Sequence, residues 1–168
     1  GVRFGNSDRL YGILCQPKGE RRGATVIVLS TGYDRMSGWG RITTRLCREL
    51  AQSGIASLRF DMANIADSPP ERHAKEQIIY GDGQLRDVSA AVDFLEQEQL
   101  FPVVVTGRCS GGWAAFKSAV NDPRFSDDPP PTPADPATVG LGRTDLHRLG
   151  EVEVESGRQQ ETVADQAV

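Results

Sequence analysis

The stretch 101-FPVVVTGRCSGGWAAFKSAV-120 decides how the rest of the chain is read. An apolar run rich in valine, Phe101 to Val105, meets two glycines flanking a cysteine, and a helical segment follows directly. A strand that turns this sharply into a helix needs residues with almost no side chain at the corner. Gly107 and Gly111 supply them two positions either side of Cys109, and Gly112 allows the helix to approach the sheet. Three readings fit such a corner. It can be a nucleophile site, a nucleotide-binding loop, or a glycine-rich turn in which Cys109 is merely packed.

Moving outward, residues 1–125 alternate between strand and helix patterns. Strands are predicted at Leu10 to Cys15, Ala24 to Ser30 and Ile55 to Phe60. The second of these is a continuous apolar run, as expected of a parallel strand covered on both faces. Between the second and third, RITTRLCRELAQSG places Ile42, Leu46, Cys47, Leu50 and Ala51 on one helical face, with Gly54 as a stop. QLRDVSAAVDFLEQEQ puts Leu85, Val88, Val92 and Leu95 on one stripe. Alternation of this kind predicts an α/β domain with a mostly parallel sheet flanked by helices.

Residues 126–168 differ in kind. Five of the ten prolines fall between Pro129 and Pro136, and no aromatic residue occurs after Phe125. From Ser126 onward there are nine acidic and three basic residues, so this part carries −6 and the rest +2, which together give the net −4. A segment so poor in apolar surface is expected to be a largely disordered acidic tail. The expected division is therefore a domain over 1–125 and a tail over 126–168, a change that reads as a truncation, a frame shift or a genuine linker.

Composition narrows the function classes. A net charge of −4 offers no basic surface for nucleic acid, and no apolar run approaches the ~20 residues of a membrane span. Three cysteines at wide spacing and two histidines, His73 and His147, form no metal-ligand pattern, so no metal is expected. Free thiols point to a reducing, cytoplasmic setting. Cys47 and Cys15 are expected in the core. Asp34, Arg35 and Trp39 are read as pocket lining or as a surface loop with one buried Trp.

The corner itself has the form of a nucleophile elbow with cysteine in place of the commoner serine. The glycine spacing centres on Cys109, which makes Ser110 the weaker candidate. A thiol at a helix N-terminus has a lowered pKa, and the N–H of Ser110, the next residue, is aimed where an oxyanion would form. The nucleotide-loop reading is disfavoured because Trp113 stands where a glycine is required and the loop comes last rather than after the first strand.

Two further stretches share a resemblance. LSTGYD (Leu29 to Asp34) and FDMANIADS (Phe60 to Ser68), with GRCSGG, make residues 5–125 resemble the α/β-hydrolase superfamily. The resemblance extends to dienelactone hydrolases and to small hydrolases encoded beside exopolysaccharide-export systems. It implies a second oxyanion N–H from Tyr33, after Gly32, with Thr31 where histidine is usual. Asp61 and Ser68 match the family's D-x-R-G-x-G-x-S stretch, while Ala63, Asn64 and Ala66 replace its Arg and two glycines. It also implies hydrolysis of a small-molecule ester, lactone or thioester without a cofactor. The family's acid and histidine follow the elbow on later strands, and no such strand is legible after Phe125. His147, in TDLHRLG, is the one downstream histidine and no strand pattern precedes it to hold it. The expectation is a partial α/β-hydrolase fold, weakly active or inactive. A non-catalytic remnant or binding module is the alternative, and a nucleotide-binding domain the third. Oligomeric state is not legible.

Overall fold

A computed structural model describes residues 1–70 and 79–125. They belong to one compact unit, and the expectations for the tail, His73 and His147 lie outside the described residues. The elements are β1 (Val2–Phe4), β2 (Leu10–Cys15), β3 (Thr25–Leu29), α1 (Ile42–Gln52), β4 (Ser57–Asp61), α2 (Asp82–Gln97), β5 (Val103–Gly107) and α3 (Ser110–Asn121). The five strands form one sheet in the order β1-β2-β4-β3-β5. β4, β3 and β5 pair in parallel, and β2 is antiparallel to both β1 and β4, so four of the five strands run in one direction.

Period-two alternation divides the residues of this sheet between two unequal faces. Leu10, Ile27, Leu29, Leu58, Phe60 and Val103 join Val88, Val92, Leu95 and Ala114 of α2 and α3 in the main core. The opposite face carries Ser57, Arg59 and Asp61 on β4, and α1 packs across β4 and β2 there. Arg21 closes the bottom of the sheet, donating to the Leu100 and Phe101 carbonyls and to Thr25 Oγ1.

The α2 stripe is buried at Val88, Val92 and Leu95, with Leu85 partly so. The α1 face is a correction. Thr44 and Cys47 are its buried residues, whereas Ile42 is 61% and Leu46 41% exposed. The helix is rotated so that its smaller residues meet the polar side of β4, and the larger ones overhang the flank of β5. β1 was not legible in the sequence, because a three-residue edge strand has too few positions to show a period.

Candidate active site

The candidate site is built at the carboxyl ends of β3 and β5. Cys109 sits between β5 and α3 at φ 54°, ψ −124°, a conformation sparsely populated by residues with a side chain. The glycines make this turn possible. A Cβ on Gly107 would lie 2.5 Å from the Gly111 carbonyl carbon, and one on Gly111 would lie 2.4 Å from the Ser30 oxygen. Gly111 is thus the residue that brings the helix against β3. Gly112 instead faces Gly107, where an added Cβ would meet its oxygen at 3.2 Å.

The turn after β3 docks onto the same corner. Gly32 N–H donates to Ser110 Oγ at 2.6 Å, and Asp34 N–H to the Thr31 carbonyl at 3.0 Å. Ser110 is fully buried and its hydroxyl is occupied by that bond, whereas Cys109 is exposed. The corner therefore presents the thiol, not the hydroxyl. Tyr33 lies in the docked turn with its side chain turned outward.

Hydrogen bonds from the Thr31 hydroxyl, the Tyr80 hydroxyl and the Ser110 N–H lower the Cys109 pKa, with a smaller contribution from the Arg108 charge. Tyr80 Oη stands 3.4 Å from Sγ, and the thiol in turn raises the phenol's pKa. Tyr80 is the residue that sequence reading missed. It belongs to no motif, and its place at the thiol depends on how the segment before α2 docks against α3.

Asp61, at the end of β4, is buried and receives Met36 N–H at 2.6 Å and Asp67 N–H at 3.3 Å. Burial raises its pKa, against the pull of those two N–H groups. It organises the loop that follows the Thr31–Asp34 turn. Ser68 Oγ donates to the Asp61 carbonyl and accepts Tyr11 N–H, closing the post-β4 loop onto β2. Buried Asp87 on α2 holds that loop from beneath, accepting Ala63 N–H at 2.8 Å and pairing with Arg9.

Beside the corner an open groove of about 290 Å³ is lined by Val28, Trp39, Ile42, Leu46, Thr106 and Arg108 among others. Trp39 is 85% exposed there, so it is a groove residue and not a buried one. A larger cleft, about 940 Å³, lies between the end of β2 and the end of α1, at the opposite end of the sheet from Cys109. Size does not mark the chemistry here, because the exposed thiol and its donors are all at the corner. Cys15 is half-buried and accepts from Arg59, and Cys47 is buried. Among the described residues no group of metal-ligating side chains occurs, and no helix is long and apolar enough to cross a membrane.

The same arrangement of strands and helices recurs in solved structures. An alpha-beta serine hydrolase homologue from Coxiella burnetii aligns with a TM-score of 0.53 at 18% identity, over 67% of this chain and 52% of that one. The fold is that of the α/β-hydrolases. Dienelactone hydrolase from Anabaena variabilis aligns at 0.54 and 19% identity, over 69% of this chain and 53% of that. Est1E from Butyrivibrio proteoclasticus, with ferulic acid bound, aligns at 0.55 and 20%, over 66% and 43%. The chain spans about half the length of these hydrolases. No protein-family model matches the sequence, and no curated protein matches it significantly. In this chain GRCSGG spans the corner between β5, an edge strand among the described residues, and α3.

Proposed function

We propose that Cys109 is the nucleophile of an acyl-transfer site that acts on small esters, lactones or thioesters. The observation that carries this reading is the thiol itself. It is exposed, held on a strained turn at a helix N-terminus, and acidified by neutral donors. Its thiolate would add to a carbonyl carbon, and the oxyanion would be received by the N–H groups of Ser110 and Tyr33. Collapse would leave an acyl group on Cys109. Acyl transfer to a thiolate requires no cofactor.

Turnover is expected to be slow. Positioned acid–base groups contribute typically ~10²–10⁴-fold, and no apolar strand pattern precedes His147 in the sequence to hold it as a base. Acylation of Cys109 should therefore outrun its hydrolysis. A second reading, a binding module or remnant with the hydrolase scaffold and no turnover, is favoured by the same shortage.

p-Nitrophenyl acetate decides between them. A burst of p-nitrophenolate with a single acetyl adduct, located at Cys109 by mass spectrometry and absent in Cys109→Ala, supports the nucleophile. Release without an adduct, or unchanged in Cys109→Ala, overturns it. Alkylation of Cys109 by iodoacetamide with no acylation supports the binding module.

A further inference from the structure

We propose that Tyr80 is the proton donor of the Cys109 site, delivering its phenolic proton to the leaving group as the thiol is acylated. The inference deepens the acyl-transfer reading and rests on it. Three contacts from different parts of the residue hold Tyr80 in place. Its hydroxyl is 3.4 Å from Cys109 Sγ. Its ring stands edge-on to Trp113 of α3, with centroids 5.6 Å apart and planes at 84°. Its N–H donates to Oε1 of buried Gln84 at 2.7 Å.

The backbone at Tyr80 is left-handed, φ 64°, where a bulky side chain is uncommon and must be held by its surroundings. A core-filling tyrosine would bury its ring, yet this one is 50% exposed. The conformation instead brings a hydroxyl to the one exposed thiol. Trp113 and Cys109 belong to the same helix start, so the phenol is braced by the element that carries the nucleophile.

The chemistry follows from that placement. The thiolate adds to the carbonyl carbon, forming the C–S bond and moving the π pair onto oxygen. When the pair returns, the C–O bond breaks, and the departing alkoxide takes the Tyr80 proton. That oxygen is two covalent bonds from Sγ, within the space the phenol already faces. An alcohol leaves, with a thioester on Cys109 and a phenolate at Tyr80. The phenolate then takes a proton from water as the water oxygen adds to the thioester carbonyl. Cleavage of C–S restores the thiolate and releases a carboxylic acid, which loses its proton to solvent. Water is the only other reactant, and nothing is oxidised or reduced. A phenol keeps its proton at neutral pH, the form an acid requires, and the neighbouring thiol shifts its pKa further up. A phenol is a poorer match to neutral pH than an imidazole, in keeping with slow turnover.

The test compares two acetyl esters on the full chain. p-Nitrophenolate departs without a proton, whereas the alkoxide of 2,2,2-trifluoroethyl acetate benefits from one. Acetylation of Cys109 is followed by intact mass in the wild type and in Tyr80→Phe, which keeps the ring against Trp113. The expected result is a fall of at least ~10-fold in the trifluoroethyl-to-p-nitrophenyl rate ratio. Taking the ratio cancels any change in thiolate fraction caused by losing the hydrogen bond. The wild-type rate with the trifluoroethyl ester should also decline at high pH as the phenol ionises, a decline absent from Tyr80→Phe. An unchanged ratio overturns the proposal while leaving Cys109 as nucleophile. Failure of both esters to acylate wild-type Cys109 overturns the acyl-transfer reading and this proposal with it, whereas acylation by the p-nitrophenyl ester alone overturns only the proton-donor role of Tyr80.

Discussion

The acidity of Cys109 is set by neutral donors more than by charge, because the thiol is exposed and the Thr31, Tyr80 and Ser110 hydrogen bonds outrank the Arg108 charge. Each donor stabilises the thiolate over the thiol, so each lowers the pKa. Thr31→Val removes the largest of these contributions while keeping the branched shape. In the wild type, the rate of iodoacetamide alkylation should rise with pH to a midpoint below the ~8.5 of an ordinary thiol. In Thr31→Val the midpoint should move up, with a fall of roughly two- to tenfold in rate at pH 7. A midpoint that stays put would remove Thr31 from the site. At this scale the sequence was legible where backbone sterics dictate the residue. Gly107, Gly111 and the cysteine between them are readable because an added Cβ would collide with main-chain atoms at 2.4–2.5 Å. Tyr80 was not, since its partner lies 29 residues on and the pairing depends on docking.

The loop between β4 and the segment before α2 shows how a departure from a family pattern leaves a mark in the backbone. Asn64 and Ala66 stand where the resemblance expects glycines, and both have positive φ, 64° and 44°. Asparagine tolerates that region, but alanine does not do so readily. The conformation persists because Asp61, Ser68 and Asp87 pin the loop from three sides. Ala66→Gly should relieve the strain and raise stability by about 0.5–1 kcal/mol, even though glycine adds freedom to the unfolded chain. Urea unfolding measures this as a higher midpoint at unchanged slope, and a lower midpoint would show that Ala66 is not strained. Elements with a clear period, such as α2, were legible. The orientation of α1 was not, because its apolar pattern cannot say whether Ile42 and Leu46 meet the sheet or overhang it, and Thr44 is not distinguished as a core residue by composition.

At the scale of the whole sheet, β5 is an edge strand among the described residues. Thr25 N–H donates to the Pro102 carbonyl at 2.8 Å, and Val26 N–H to that of Ala56, so alternate residues of β3 serve β5 and β4 in turn. On β5 the peptide groups of Pro102, Val104 and Thr106 therefore face β3, and those of Val103, Val105 and Gly107 face away. Among the described residues no strand pairs with that outer row. Apolar side chains crowd both flanks of it. Val104, 51% exposed, lies with Ile42 and Leu46 on the α1 side, and Phe116 and Val120 are exposed on α3. An unpaired edge of this composition is a template for another strand. The chain is accordingly expected to self-associate as its concentration rises. Val104→Lys sets a charge beside the edge without removing a buried contact, so its effect on the folded chain should stay within about 0.5 kcal/mol. Sedimentation velocity over a concentration series should show the wild type shifting to larger species and Val104→Lys holding as a monomer to several-fold higher concentration. A wild type that stays monomeric throughout, or a variant that associates equally, would show that association does not run through the β5 edge.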